Sequence, residues 1–314
     1  MTGLRTLSIF LLSLVVSISA QSQPVDSLVA NLPVVAEFEE ASAMDIDPVG
    51  IIYVADAGRH GIVKIDRDGE KRTFGGPGES EGQFDGPADI DVTNGLVLVV
   101  ADAGNGRIQR FSREFLFLES LGVGDVEDDG GDLFGAEPAY RQRERDVDDF
   151  ATGRPIALIT TSDNEMYAID ESANVVLKWD NNRNIEQVIG DYNQGDGALI
   201  EPVSLALGKD GTLFVADRGV EAIVVYDAFG GFVRTMAEGL CEDVQSVKVH
   251  EDLIFIALTD KLLIYEIHGM PNKVIELELG TPLVDIGIVD NDVYILSRSE
   301  LSKSQGLLSY VLAN

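Results

Sequence analysis

An all-β chain of six similar units closed into a ring is predicted by three observations. The first is a phrase written twice, YVADAGRHGIVKID from Tyr53 to Asp66 and VVADAGNGRIQRFS from Val99 to Ser112. Weaker echoes follow as MYAIDESANVVLKWD (Met166 to Asp180) and LFVADRGVEAIVVYD (Leu213 to Asp227). The second is phase: the twelve positions ending at Asp56, Asp102, Asp170 and Asp217 align without a gap. The third is spacing. With two further units, Val244 to Ile267 and Leu283 to Val311, the chain repeats every 35 to 50 residues or so, the period of four-stranded propeller blades.

Residues 1–20, MTGLRTLSIFLLSLVVSISA, set Arg5 ahead of an apolar run from Leu7 to Val16 and end in small residues, the pattern of an export signal cut after Ala20. No other segment approaches the length of a membrane-spanning helix. The single cysteine, Cys241, lies far from the cut, so it offers neither a lipid anchor nor an internal disulfide. The mature chain is therefore expected to be periplasmic or secreted, without a membrane span, and monomeric. Residues 21–37 are expected to form an N-terminal segment, and the stretch Ser27 to Phe38 to lend an outer strand to the last unit. Residues 38–314 then make the six-bladed propeller, with a charged insertion at 139–154 between the second and third blades.

Within a unit the order is an inner apolar strand, a Gly, Asn or Asp turn, a second strand such as Ile51 to Ala55, a tight turn opened by the recurring Asp, and a third strand such as Gly61 to Ile65. Asp suits that turn because its carboxylate accepts backbone N–H groups across the bend. Asp56, Asp102, Asp170 and Asp217 thus read as architecture. The last unit runs out after three strands, ending LLSYVLAN. Phe111, Trp179, Tyr226 and Tyr265 share one phase with Ile65, which marks packing between blades rather than a ligand platform.

Between the first two units stands FGGPGESEGQFDGP (Phe74 to Pro87), repeated loosely as LGVGDVEDDGGDLFGAEP (Leu121 to Pro138) and IGDYNQGDGALIEP (Ile189 to Pro202). With the V-A-D-x-G-x-x-x-I phrase, it resembles the NHL-repeat family of six-bladed propellers, secreted bacterial type, over about residues 38 to 238. The resemblance implies that this string links the outer strand of one blade to the inner strand of the next, and it places Gly78, Gly82, Phe84 and Pro87 there. It also implies partner binding, usually of protein.

Composition narrows the partners. The 314 residues are 45% hydrophobic, enough for a sizeable core, and carry a formal charge of −31. Such a surface repels phosphate backbones, so nucleic acid is not an expected partner.

Candidate sites follow from the ring. Its matched inner-strand position is Ala43, Asp89, Ala157, Ser204, Ser246 and Asp285, two carboxylates and two hydroxyls at the channel mouth. They fall short of a metal ligand set, and no metal or other cofactor is expected there. The run DVEDDGGD (Asp125 to Asp132) imitates the start of an EF-hand loop and makes calcium the one candidate ion. Its twelfth position is Ala136 where a bidentate Glu belongs. His60, His250 and His268 are scattered around the ring and cannot converge on a metal. The insertion sets Arg141, Arg143 and Arg145 against Asp146, Asp148 and Asp149, a charge-split patch on a loop. No nucleophile elbow, phosphate loop or dinucleotide fingerprint is present. The reading is an exported protein-binding or scaffolding module. Its rivals are a metal-dependent lactonase-like hydrolase or lyase at the channel mouth and a small-ligand sensor or carrier.

Overall fold

The computed structural model describes residues 25–28, 32–123, 153–277 and 279–312. Six sheets stand in a ring, each with four strands antiparallel from the channel outward. Blade 1 comprises Ala41–Ile46, Ile52–Asp56, Gly61–Ile65 and Lys71–Gly75; blade 2 comprises Pro87–Asp91, Val97–Asp102, Arg107–Ser112 and Phe117–Gly122. Blade 3 comprises Pro155–Thr160, Met166–Asp170, Val175–Trp179 and Ile185–Ile189; blade 4 comprises Pro202–Leu207, Leu213–Asp217, Ala222–Tyr226 and Phe232–Met236. Blade 5 runs from Ser246–His250 through Leu253–Ala257 and Lys261–Glu266 to Pro271–Leu277, and blade 6 holds Leu283–Val289, Asp292–Ser297 and Glu300–Ser304. Each inner strand packs on the next, and that of blade 6 returns to that of blade 1.

A blade is covered on both faces by its neighbours, so its second strand has no polar side. Ile52–Asp56, Met166–Asp170, Leu213–Asp217 and Leu253–Ala257 are buried along their whole lengths. Ile65, Phe111, Trp179, Tyr226 and Tyr265 are all buried at one register, in the packing between blades.

The N-terminal stretch divides between two blades. Val34–Glu37 pairs antiparallel with Glu300–Ser304 as the outer strand of blade 6, while Val25–Leu28 lies parallel to the outer strand of blade 5, which becomes five-stranded. The terminal LLSYVL is a helix, Leu307–Leu312, and not the third strand of blade 6. Leu307 and Leu308 are buried against blades 5 and 6, where a helix covers apolar ends that a strand would leave open.

The recurring Asp does more than turn the chain. Asp217 accepts Val220 N–H across the bend at 2.9 Å and also takes Ile200 N–H (2.8 Å) and Glu201 N–H (3.0 Å) from the linker entering its blade. Asp56 does the same with Arg59, Glu39 and Glu40, and Asp170 with Ser172 and Arg154. Asp102 receives Asp85 N–H at 2.7 Å and the side chains of Asn105, Arg107 and Gln109. All four are fully buried. In blade 5 the polarity reverses: Asp243 sits on the linker and accepts from Thr259 N–H and hydroxyl in the turn.

In the first linker Phe84 is buried over Gly75, whose φ of +96° and lack of a side chain admit the ring; an added Cβ would stand 2.6 Å from it. Leu199 lies over Gly190 in the same way in the third linker, at 2.4 Å. Gly78 and Gly82 take positive φ in the same loop, and Pro87 opens the inner strand.

Replacing the buried Asp217 by Ala leaves three part-buried N–H groups without their acceptor and is expected to cost about 2–4 kcal/mol. Urea unfolding checks this; a loss below about 1 kcal/mol would mean water replaces the carboxylate freely.

Candidate functional site

The inner strands enclose a cavity of about 310 Å³ on the ring axis. Strand pairing sets Ala43, Asp89, Ala157, Ser204, Ser246 and Asp285 on one rung, opposite Ala55, Ala101, Ile169, Ala216, Ala257 and Leu296. Five of the six inner strands carry a bulge just before this rung, blade 5 being the exception.

The polar members of the rung join blades. Asp89 accepts Leu158 N–H of blade 3 at 2.7 Å and Ile90 N–H at 2.8 Å. Asp285 accepts Met44 N–H of blade 1 at 3.0 Å and Ile286 N–H at 2.8 Å. Ser204 accepts Val247 N–H of blade 5 at 3.1 Å. Each side chain thus reaches the residue that follows the rung position on the next blade. Ser246, equally buried, has no hydrogen-bond partner for its hydroxyl.

Two residues further along lies a second charged rung. Asp45 on blade 1 accepts Val92 N–H at 2.7 Å, and Asp91 on blade 2 accepts the N–H and hydroxyl of Thr160. Lys248 on blade 5 places Nζ 3.4 Å from Asp285. Burial raises the Asp89 carboxyl to about 7, Lys248 pulling it down and Asp285 pushing it up. Asp45 is raised by burial and by Asp91, against Lys248; Asp91 is raised by burial, against hydrogen bonds from Thr160 and Thr93. Burial opposes the Lys248 ammonium, but Asp285, Asp89 and Asp45 outweigh it and its pKa rises. The lysine is held as a cation, not prepared as a nucleophile.

Asp45, Asp91 and Lys248 stand two residues beyond the one position at which the inner strands align in the sequence. Continuing the same alignment by two residues finds all three. His60 accepts Gly86 N–H at 3.0 Å in the first linker, His250 lines the cavity, and His268 sits in an outer hairpin of blade 5. Among the described residues no three His, Cys, Asp or Glu side chains are placed to hold a metal ion. Cys241 is buried, its thiol pushed up to about 12 by burial and Asp243. Arg141, Arg143 and Arg145 and the acidic run 125–132 lie outside the described residues. Among the described residues no helix is long and apolar enough to cross a membrane.

Residues 84–111 match the NHL repeat. No curated protein matches the sequence. Among solved structures the chain is similar to a gluconolactonase from Xanthomonas campestris, at 12% identity over 86% of this chain and 89% of that one, with a TM-score of 0.60. It is similar to the nidogen/laminin complex at 13% identity, 79% and 85% coverage and a TM-score of 0.59. It is also similar to virginiamycin B lyase from Staphylococcus aureus, solved with quinupristin, at 11% identity, 83% and 81% coverage and a TM-score of 0.57. Identities this low establish a shared fold, and that fold carries both a protein complex and two enzymes.

The raised Asp89 gives the channel a pH signature. A carboxyl bound more tightly to its proton in the folded state than in the unfolded one (3.8) favours folding below 3.8, and that contribution is lost as pH rises to about 7. The urea midpoint of wild type relative to Asp89→Asn is expected to fall across this interval. A difference that stays flat with pH would mean that the Asp89 carboxyl titrates normally.

Proposed function

We propose that this NHL-repeat propeller is a protein-binding module that engages its partner through the face carrying the blade-to-blade linkers, over blade 4. One observation carries the reading. The turn between the second and third strands of blade 4 is flanked by two linkers, one bringing Ile200 against Gly219, the other hydrogen-bonded through Gly239 and Cys241 N–H to Glu221 C=O. Ile200 and Leu240 project there at 58% and 50% exposure, each a large apolar side chain on a fixed backbone. Glu201, Glu221, Glu238 and Glu242 stand exposed around them.

An apolar centre within a charged rim is the usual anatomy of a specific interface. The carboxylate rim fits a partner that presents basic side chains around an apolar contact, and the chain's net charge of −31 steers such a partner inward. Rigidity supports the same reading, because Asp217 pins both the turn and the linker that carries Ile200, so little is ordered on binding. Exposed apolar side chains on the opposite face, among them Leu96, Leu116 and Met270, stand on separate hairpins without such a frame.

A hydrolase or lyase in the channel has less support. Both carboxylates of the rung, Asp89 and Asp285, have each oxygen committed to a backbone N–H, and a base or nucleophile there would have to leave its staple. An exported location accords with the apolar N-terminal residues of the sequence.

The test is capture from the extracellular and periplasmic fractions of the source, using wild type and an Ile200→Ser, Leu240→Ser variant shown to have the same urea midpoint. A basic protein retained by wild type, released by about 0.5 M salt and reduced roughly tenfold on the variant, is expected. Equal retention by both proteins would remove blade 4 from the interface.

A further inference from the structure

The channel holds more carboxyl groups than its own cation can pair with. Its titratable lining is Asp45, Asp89, Asp91, Asp285, Lys248 and His250, four carboxylates and one lysine. Lys248 leans to one side, with its ammonium on Asp285. Asp45 and Asp91, on adjacent blades, share the Thr93 hydroxyl, which lies 2.6 Å from Asp91 and 3.4 Å from Asp45. Neither has an ion-pair partner across the channel at bonding distance among the described residues; burial raises both, and the Asp91 charge raises Asp45 further. Two like charges in a region of low dielectric are an electrostatic deficit that a bound cation would relieve.

A second observation is independent of the acids. Ser246, 4% exposed, lines the same cavity from blade 5, and its hydroxyl has no hydrogen-bond partner. A buried hydroxyl left unpaired is destabilising, so native structures seldom keep one without a use. On the same strand Lys248 keeps 31% of its side-chain surface, and among the described residues only Asp285 stands within ion-pair distance of its three donors. Blade 5 therefore presents donors across the channel from the acid pair. Between them Ile156, Val203 and Ile159 add an apolar wall.

We propose that the channel binds a small primary amine that also carries an acceptor oxygen and a short apolar body, of the amino-alcohol or amino-amide class. The ammonium lies by Asp45, Asp89 and Asp91, the oxygen takes hydrogen bonds from Lys248 and the Ser246 hydroxyl, and the apolar body rests on the wall. A cavity of about 310 Å³ admits a molecule of this size. A free metal ion is a poorer fit, because among the described residues the carboxylates do not gather into a ligand set. A lone anion is disfavoured by four acids. The site is separate from the blade 4 surface, so either can fail without the other.

Isothermal titration of the full folded chain with L-leucinol tests this, with 3-methylbutylamine (no oxygen) and 4-methylpentan-1-ol (no amine) as probes. Saturable one-to-one binding of leucinol is expected, about tenfold or more tighter than either control. Titration in two buffers of different ionisation enthalpy should show proton release at neutral pH, since a bound cation displaces protons from the raised carboxyls. Ser246→Ala should weaken leucinol and leave 3-methylbutylamine unchanged, a selectivity that a purely structural hydroxyl would not produce. Lys248→Met, which removes the resident cation, should tighten 3-methylbutylamine about tenfold. Because that variant leaves buried acids unpaired, the Ser246→Ala comparison stands alone if it fails to fold. The proposal is overturned by no binding of leucinol to folded wild type, by equal binding of leucinol and 4-methylpentan-1-ol, or by Ser246→Ala affecting both amines alike.

Discussion

The structure depends on carboxylates that accept backbone N–H groups from the neighbouring chain segment. Apolar packing holds the blades face to face, but it has no direction and would tolerate a sheet sliding or tilting on its neighbour. A charged acceptor with two or three N–H donors fixes position as well as distance. Asp56, Asp102, Asp170 and Asp217 do this at one end of the blades, tying each linker to a turn. Asp89 and Asp285 do it at the axis, where the Ser204 hydroxyl adds a single bond of the same kind, tying one inner strand to the next.

The device shapes what the channel can do. Every carboxylate used as a staple at the axis is also taken out of water, and burial, with a smaller push from neighbouring acids, leaves Asp89 and Asp45 keeping their protons to higher pH. Hydrogen-bonded in place, these acids are poor movers of protons between substrate atoms yet good fixed partners for a cation. Architecture and chemistry at the axis are therefore two aspects of one set of residues. The face over blade 4 is freer: the staple lies beneath it, and Ile200 and Leu240 project from a frame that does not use their side chains.

Much of this is legible in the sequence because the staples are periodic. A buried Asp recurring at a fixed place before a tight turn reveals blade, turn and phase together, and the rung of Asp89, Ser204, Ser246 and Asp285 follows by counting back. The phase fades where the device changes hands. In blade 5 the acceptor moves to Asp243 on the linker, so the phrase looks eroded although the bond is kept. Lys248 belongs to that blade, and one lysine in an apolar strand carries no local mark of three carboxylates arriving from other blades. Asp45 and Asp91 resemble ordinary turn-flanking acids until the ring brings them together. The final LLSYVL alternates too little to separate strand from helix, and its fate is decided by the apolar ends it covers.

The pairing of Val34–Glu37 with Glu300–Ser304 has a consequence in time. A ribosome makes the first of these strands roughly 260 residues before its partner, an interval of tens of seconds at usual rates of synthesis. Throughout it, five blades can assemble in order while an unpaired edge waits at one end and an incomplete ring at the other. The last blade is a latch that only a finished chain can fasten. A nascent or truncated copy would carry an open sheet edge able to recruit a strand from a neighbour, so completion of the chain itself separates a closed ring from a sticky one.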